Sequence, residues 1–332
     1  MMFQTSPSSK QAQSQDCLHR TGRDVMHRCQ DNPLITIDDL PFECSNIWNA
    51  GVIRFRDEYL LLLTVETLEG VGCVYLARGT DGYTFAVEPE PFMTASKDGS
   101  FARYETFGIR DPRITRIDAT YYITYVADSE IGQRVGLART RDFRTVERMA
   151  LISEPDTKGA CLFPKKFNRL SAGYAMLERP SAGGSIWISY SDDLTHWGSS
   201  TIVLTPRAGH WDSNRIGPAG PPIEFDGGWL LIYYGEKDTS AGPLVRLGAA
   251  ILSKIDPARV LARSNIPILA PREKYERMGD VANIVFSCGG LLDEPGQAKV
   301  YYGASDSCIC LGVGTLEDII RICQADDQEH TL

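Results

Sequence analysis

No run in this 332-residue chain approaches the roughly twenty consecutive apolar residues of a membrane span, and Met1-Met2-Phe3-Gln4-Thr5-Ser6 opens no apolar signal core. A soluble, cytoplasmic protein with no membrane partner is expected. Positive charge is in the minority, with 34 Lys and Arg against 43 Asp and Glu and a net charge of −9. That leaves no long basic stripe for a nucleic-acid backbone, so nucleic acid is not an expected partner, although local basic pockets can exist within an acidic chain. Histidine is scarce at five: His19, His27 and His330 lie in the polar ends, and His196 and His210 stand beside Trp197 and Trp211. The nine cysteines, at 17, 29, 44, 73, 161, 288, 308, 310 and 323, are odd in number and lack paired metal-ligand spacing. Cys308 and Cys310 would share one face of a strand, which suits small buried hydrophobes better than a metal clip. No metal site is expected. Helical periodicity is almost absent as well.

What the chain does have is apolar material, 43% of its residues, which is ample for a core. Residues 1–31 are polar without a sustained apolar period. They are expected to form a loose arm or short helix outside the main core, an arm that could reach a neighbouring subunit in a homo-oligomer, and 321–332 to form a tail. Between them, over 32–320, one unit recurs. Strand-like runs at 59–63, 121–125, 173–177, 229–234 and 299–303 are each followed by a second run, at 74–78, 135–139, 186–190, 247–251 and 310–314. Polar turns such as Thr80-Asp81-Gly82, Arg141-Asp142-Phe143 and Ser191-Asp192-Asp193-Leu194 close several of these pairs. Five repeats about 50 to 70 residues apart predict an all-β chain, a five-bladed β-propeller forming one catalytic domain. An irregular β-sandwich, whose hairpins resemble one another as hairpins do, is the alternative.

The stretch around which this pattern turns is Gly108-Ile109-Arg110-Asp111-Pro112-Arg113-Ile114-Thr115. Proline disfavours helical geometry in the residue before it, which predicts an extended Asp111 held at the entry to a sheet, as a catalytic acid would be. An Asp-Pro turn at a strand edge has the same local appearance. In a propeller, polar residues at strand ends converge on one funnel. Besides Asp111, the acids placed to reach it are Glu66, Asp280 and Asp306; the cations are Arg113, Lys158, Arg179 and Arg215. Carboxylates mixed with basic groups, with Trp and Tyr nearby, suit a sugar that reacts with an anion. Each of these charges could equally belong to a surface or inter-blade ion pair.

Seven short motifs occur in an order that resembles glycoside hydrolase family 130, the family of β-mannoside phosphorylases and some β-mannosidases. They are Trp48-Asn49-Ala50-Gly51, residues 108–115, Leu162-Phe163-Pro164, Arg179-Pro180, residues 191–197, residues 216–222 with 228–235, and Gly279-Asp280-Val281 with residues 301–306. The resemblance spans about Asn32 to Ile320 and implies a five-bladed propeller and an inverting reaction at a terminal β-mannoside. It implies that Asp111 is the general acid, and that Asn49 and Asp306 hold the mannose. Lys158 and Arg215 would bind phosphate, with Arg179 a further candidate for the anion site. Glu66, Arg113, Tyr234 and Asp280 complete the expected substrate-binding set.

The implied partners are a short β-linked manno-oligosaccharide or mannosyl-glucose and inorganic phosphate, giving α-mannose 1-phosphate without any other cofactor. A phosphorylase needs no second carboxylate, because phosphate is already a nucleophile once cations collect and aim it. The alternative is an inverting β-mannosidase, with Glu66, Glu236 or another carboxylate as the base. That alternative draws on two positions: Thr64 and Tyr234 stand where phosphorylases of the family often carry Arg and His.

Overall fold

The computed structural model describes residues 18–19, 24–167, 173–293 and 295–325, and strands dominate it. The strands form five successive antiparallel units. The first contains Asn46–Phe55, Glu58–Glu66, Gly72–Gly79 and Ala86–Val87; the second contains Gly108–Ile117, Thr120–Asp128, Arg134–Thr140 and Glu147–Leu151. A single parallel bridge between Gly72 and Gly108 joins these two into one continuous sheet. The third unit is Thr157–Leu162, Tyr174–Pro180, Ile186–Ser191 and Gly198–Leu204. The fourth is Arg215–Pro218, Gly228–Thr239, Gly242–Leu252 and Val260–Arg263, with Ile223–Phe225 paired alongside. The fifth is Val285–Asp293, Gln297–Ala304 and Cys308–Thr315, and His27–Cys29 from the start of the chain pairs with its last strand.

The long apolar runs have a simple cause. Leu61, Leu63 and Val65 point into a core shared with Tyr301, Ile309 and Leu311 of the fifth unit, whereas Leu60 and Leu62 point into one shared with Ile109, Ile114 and Ile123 of the second. A strand buried on both faces has no polar side to show, so alternation disappears. Trp229, Leu231 and Tyr233 likewise face the third unit, while Leu230, Ile232 and Tyr234 face the fifth. Ile117, Val135 and Leu137 meet Ala160, Leu162 and Met176 between the second and third. Every unit therefore shares a core with the unit before it and the unit after it, and the fifth shares one with the first. The turn signatures also behave alike. Asp81 accepts the backbone N–H groups of Tyr83 and Thr84, Asp142 those of Arg144 and Thr145, and Asp193 those of Thr195 and His196.

Three sequence expectations change. The repeat picked out the second and third strand of each unit and missed the first, because those first strands are short or carry polar, bulge-forming residues. The loose arm ends before residue 31: Met26, Arg28 and Cys29 are buried, and Arg28 is held by Glu276 at 2.8 Å, Asp24 at 3.0 Å and the Ala270 carbonyl. The remainder of that arm, apart from the strand residues 18–19, lies outside the described residues. The tail begins later than 321, since Leu316–Gln324 is a helix that buries Ile319 and Cys323 against the fourth and fifth units. Cys308 and Cys310 do share a buried strand face, with their sulfurs 3.9 Å apart.

Arg28 closes the strand His27–Cys29 onto the last unit, and its partner Glu276 is fully buried. Arg28→Ala would leave that carboxylate without its cation, so chemical denaturation should register a loss of roughly 3–5 kcal/mol.

Candidate active site

The first strands of the units begin near one another, and their opening residues line a cavity of about 230 Å³. Three of these strands are bulged where they reach it, the third of them between Lys158 and Cys161. In the first unit the register slips between Trp48 and Ala50, leaving Asn49 at φ 46°; in the second it slips between Arg110 and Arg113, leaving Asp111 at φ 54°. Asp111 is thus left-handed rather than extended. The proline ring bars right-handed helical geometry from the residue before it, and an Asp tolerates the left-handed region that the bulge demands. Bulging turns both side chains towards the cavity and towards each other, and Asn49 Nδ2 donates to Asp111 Oδ1 at 2.8 Å.

The backbone around this pair is held from several sides. Thr64 Oγ1, fully buried, accepts the Asp111 N–H at 3.0 Å, and Arg113 donates to the Asp111 carbonyl at 3.0 Å and the Pro218 carbonyl at 3.3 Å. Two glycines make the close packing feasible. A Cβ on Gly51 would lie 2.4 Å from the Pro112 carbonyl oxygen, and one on Gly303 would lie 2.4 Å from Asn49 Oδ1.

The cavity is rich in cations. Arg110, Arg113, Lys158, Arg179 and Arg215 all line it. Arg110 pairs with Asp128 at 2.6 Å and Arg215 with Glu236 at 2.7 Å, whereas Lys158 and Arg179 have no ion-pair partner among the described residues. Arg179 is only 1% exposed and its Nε has no hydrogen-bond acceptor among the described residues. Burial and the neighbouring Arg179 push the Lys158 ammonium down to about 8. Opposite in sign, Asp306 sits at φ 48° in the turn after Gln297–Ala304, and burial with the charges of Asp111 and Asp280 pushes its carboxyl up to about 7. Burial also raises the Tyr234 phenol, which stays neutral beside these charges.

Of the expected site residues, Asn49, Asp111, Arg113, Lys158, Arg179, Arg215, Tyr234 and Asp306 line one cavity. Glu66 and Asp280 do not. Glu66 ends its strand beside Asn46 and Gly72, beyond the bulge, and Asp280 is exposed on a loop that leans on Ser305 through the Val281 N–H. The charge of Asp280 is among those that raise the Asp306 carboxyl. Trp48, Arg110 and Phe286 also line the cavity, as does Glu236. Arg110 stands inside the Asp111 motif, and that adjacency was the signal for it; Trp48 likewise precedes Asn49. Phe286 carried none, because only the packing of its ring 4.7 Å from Tyr234 brings it in.

A cavity that sets carboxylates against unpaired cations on an all-β ring of units is the site of a carbohydrate-active enzyme, a glycoside phosphorylase or glycoside hydrolase. The family profile described as beta-1,4-mannooligosaccharide phosphorylase matches residues 23–325, and the chain belongs to that family, glycoside hydrolase family 130. A beta-1,2-mannobiose phosphorylase of Listeria innocua is 31% identical over 85% of this chain and 94% of its own. A 1,2-beta-oligomannan phosphorylase of Thermoanaerobacter sp. is 36% identical over 73% of this chain and 78% of its own. The solved structure of the Listeria innocua enzyme with beta-1,2-mannobiose superposes with a TM-score of 0.81 at 30% identity, covering 90% of this chain and 99% of that one.

The raised carboxyl of Asp306 has a consequence for stability. The folded chain holds this proton more tightly than the unfolded chain, whose value is the ordinary 3.8, so stability declines as pH climbs from there to about 7. Asp306→Asn removes that cost. It should raise the melting temperature at pH 8 by roughly 2–4 °C and leave it unchanged near pH 4, as calorimetric scans at the two pH values would register.

Proposed function

We propose that the protein is an inverting β-mannoside phosphorylase that releases α-mannose 1-phosphate from a short manno-oligosaccharide or mannosyl-glucose. The observation that carries this reading is the pair of cations beside Asp111, the half-buried Lys158 and the buried Arg179, without carboxylate partners among the described residues. A desolvated charge of this kind is costly until an anion joins it, and a phosphate dianion would satisfy both while Arg215 offers a third donor set.

The five units are in this reading the blades of a five-bladed propeller, with the cavity at one mouth of its axis. In the reaction, a phosphate oxygen attacks the anomeric carbon from the face opposite the glycosidic oxygen. The bond from that carbon to the glycosidic oxygen breaks, and the oxygen takes the proton of Asp111, directly or through a hydroxyl of the mannose. Asn49 and Asp306 hold the mannose, and Asn49 also orients the acid. The hydrolytic alternative needs a second, free carboxylate to deprotonate water. Glu66 does not line the cavity, and both oxygens of Glu236 are engaged, Oε1 by Asn214 at 2.7 Å and Oε2 by Arg215. Eight free cysteines among the described residues, without a disulfide, suit a reducing, cytoplasmic setting.

The direct test is incubation with β-linked mannobioses, with and without inorganic phosphate. Phosphate-dependent mannose 1-phosphate is the expected product; free mannose released regardless of phosphate would overturn the reading. Asp111→Asn should lower turnover about 10³-fold in both directions. Arg179→Ala should raise the KM for phosphate roughly 10- to 100-fold, with a much smaller effect on the KM for the sugar.

Because Lys158 loses its charge as pH rises through about 8, the KM for phosphate should climb above that pH. Lys158→Arg keeps the charge and should remove the climb from pH–rate profiles taken at several phosphate concentrations.

A further inference from the structure

Between the second and third units lies a groove of about 600 Å³, distinct from the catalytic cavity. The shared core of these two units fills their interface elsewhere, but here the facing surface carries Trp187, Trp197, Glu178, Ser189 and Ser200. Trp187 is the cross-strand partner of Glu178, and Trp197 is fixed by its indole N–H, which donates to the Leu194 carbonyl at 3.0 Å. Ser189 donates to Glu178 Oε1 at 2.6 Å and lies 2.8 Å from Ser200. Glu178 Oε2 has no hydrogen-bond partner among the described residues, although burial already pushes this carboxyl up. An indole face for the CH side of a pyranose, with hydroxyls and a carboxylate set beside it for the ring hydroxyls, is the chemistry of saccharide recognition.

Its placement adds a second argument. Successive strand residues point to opposite faces, so Glu178 faces the groove and Arg179 the catalytic cavity. Thr157 and Pro180, cross-strand partners lining the groove, stand next in the same two strands to the pair Lys158 and Arg179, which line the cavity. The two spaces thus meet along one edge of the third unit. We propose that this groove is a second saccharide-binding site, which holds the distal residues of a β-linked oligosaccharide whose reacting end occupies the catalytic cavity. The sugar's identity rests on the β-mannoside reading above; the site itself does not.

The test compares a β-mannohexaose with the mannobiose of the same linkage. Trp187→Ala is expected to raise the KM for the hexaose about tenfold while kcat/KM for the biose stays within about twofold. Glu178→Gln, which keeps the shape, should raise the hexaose KM about threefold, and it carries the test should Trp187→Ala lower the melting temperature. An unchanged hexaose-to-biose ratio in both variants, or equal losses on both substrates, overturns the proposal. Should the wild-type enzyme act on no mannobiose, the functional reading fails on its own, and calorimetric titration with β-1,2- and β-1,4-mannohexaose then judges the groove. Binding abolished by Trp187→Ala upholds it, and no binding to the wild type overturns it.

Discussion

The hydrogen bond between Asn49 and Asp111 is the constraint on which the site depends. Each residue sits on a bulge, in a backbone region that most residues avoid, and each bulge interrupts the inner strand of a different unit. Held in this way, the two side chains meet only because Gly51 lets one strand approach the Pro112 carbonyl and Gly303 leaves space for the Asn49 side chain. Local strain of this kind persists where the surroundings over-determine it. Here the over-determination comes from Thr64 and Arg113, which take up the Asp111 N–H and carbonyl. Thr64, which departs from the family's usual cation, therefore does positive structural service for the acid.

Around that fixed pair the cavity gathers charges that a resting fold does not favour. Elsewhere the molecule neutralises its buried ions carefully: Arg28 with Glu276 and Asp24, Arg148 with Glu105, Arg263 and Arg207 with Asp212. Against that habit, Arg113, Lys158 and Arg179 have no ion-pair partner among the described residues, and the Asp306 carboxyl is pushed up to about 7. Stability given up at a site in exchange for ligand chemistry is a familiar trade, and its concentration in one cavity separates a working site from an ordinary inter-unit ion-pair network.

Much of this was legible in the sequence, and the boundary of legibility has physical causes. Five-fold recurrence was visible because the second strand of each unit is buried on both faces and the Asp81, Asp142 and Asp193 turns repeat. Eight cavity residues were named because they lie in short motifs that resemble a known family. The inner strands were hidden, since a bulged strand carrying Asn49, Asp111 or Lys158 shows no alternation. The handedness of Asp111 was misjudged because proline forbids one region without choosing between the others. Glu66 and Asp280 were over-read, for sequence proximity to a strand end does not fix how far beyond the mouth a side chain stands. Phe286 comes in through its contact with Tyr234, and Arg28 meets Glu276 across 248 residues of chain, contacts that no local pattern carries.

The pairing of His27–Cys29 with the strand Cys308–Thr315 bears on how the molecule is made. During synthesis the strand His27–Cys29 emerges long before Cys308–Thr315, so most of the chain leaves the ribosome before the two can pair. Contacts of such separation close late. Until they do, the fifth unit, which supplies Asp306, lacks both its added strand and the Arg28 clamp on Glu276. Asp111 and the cations around it come from the second, third and fourth units and Asp306 from the fifth, so a chain cut short before the fifth unit lacks the carboxylate that faces them.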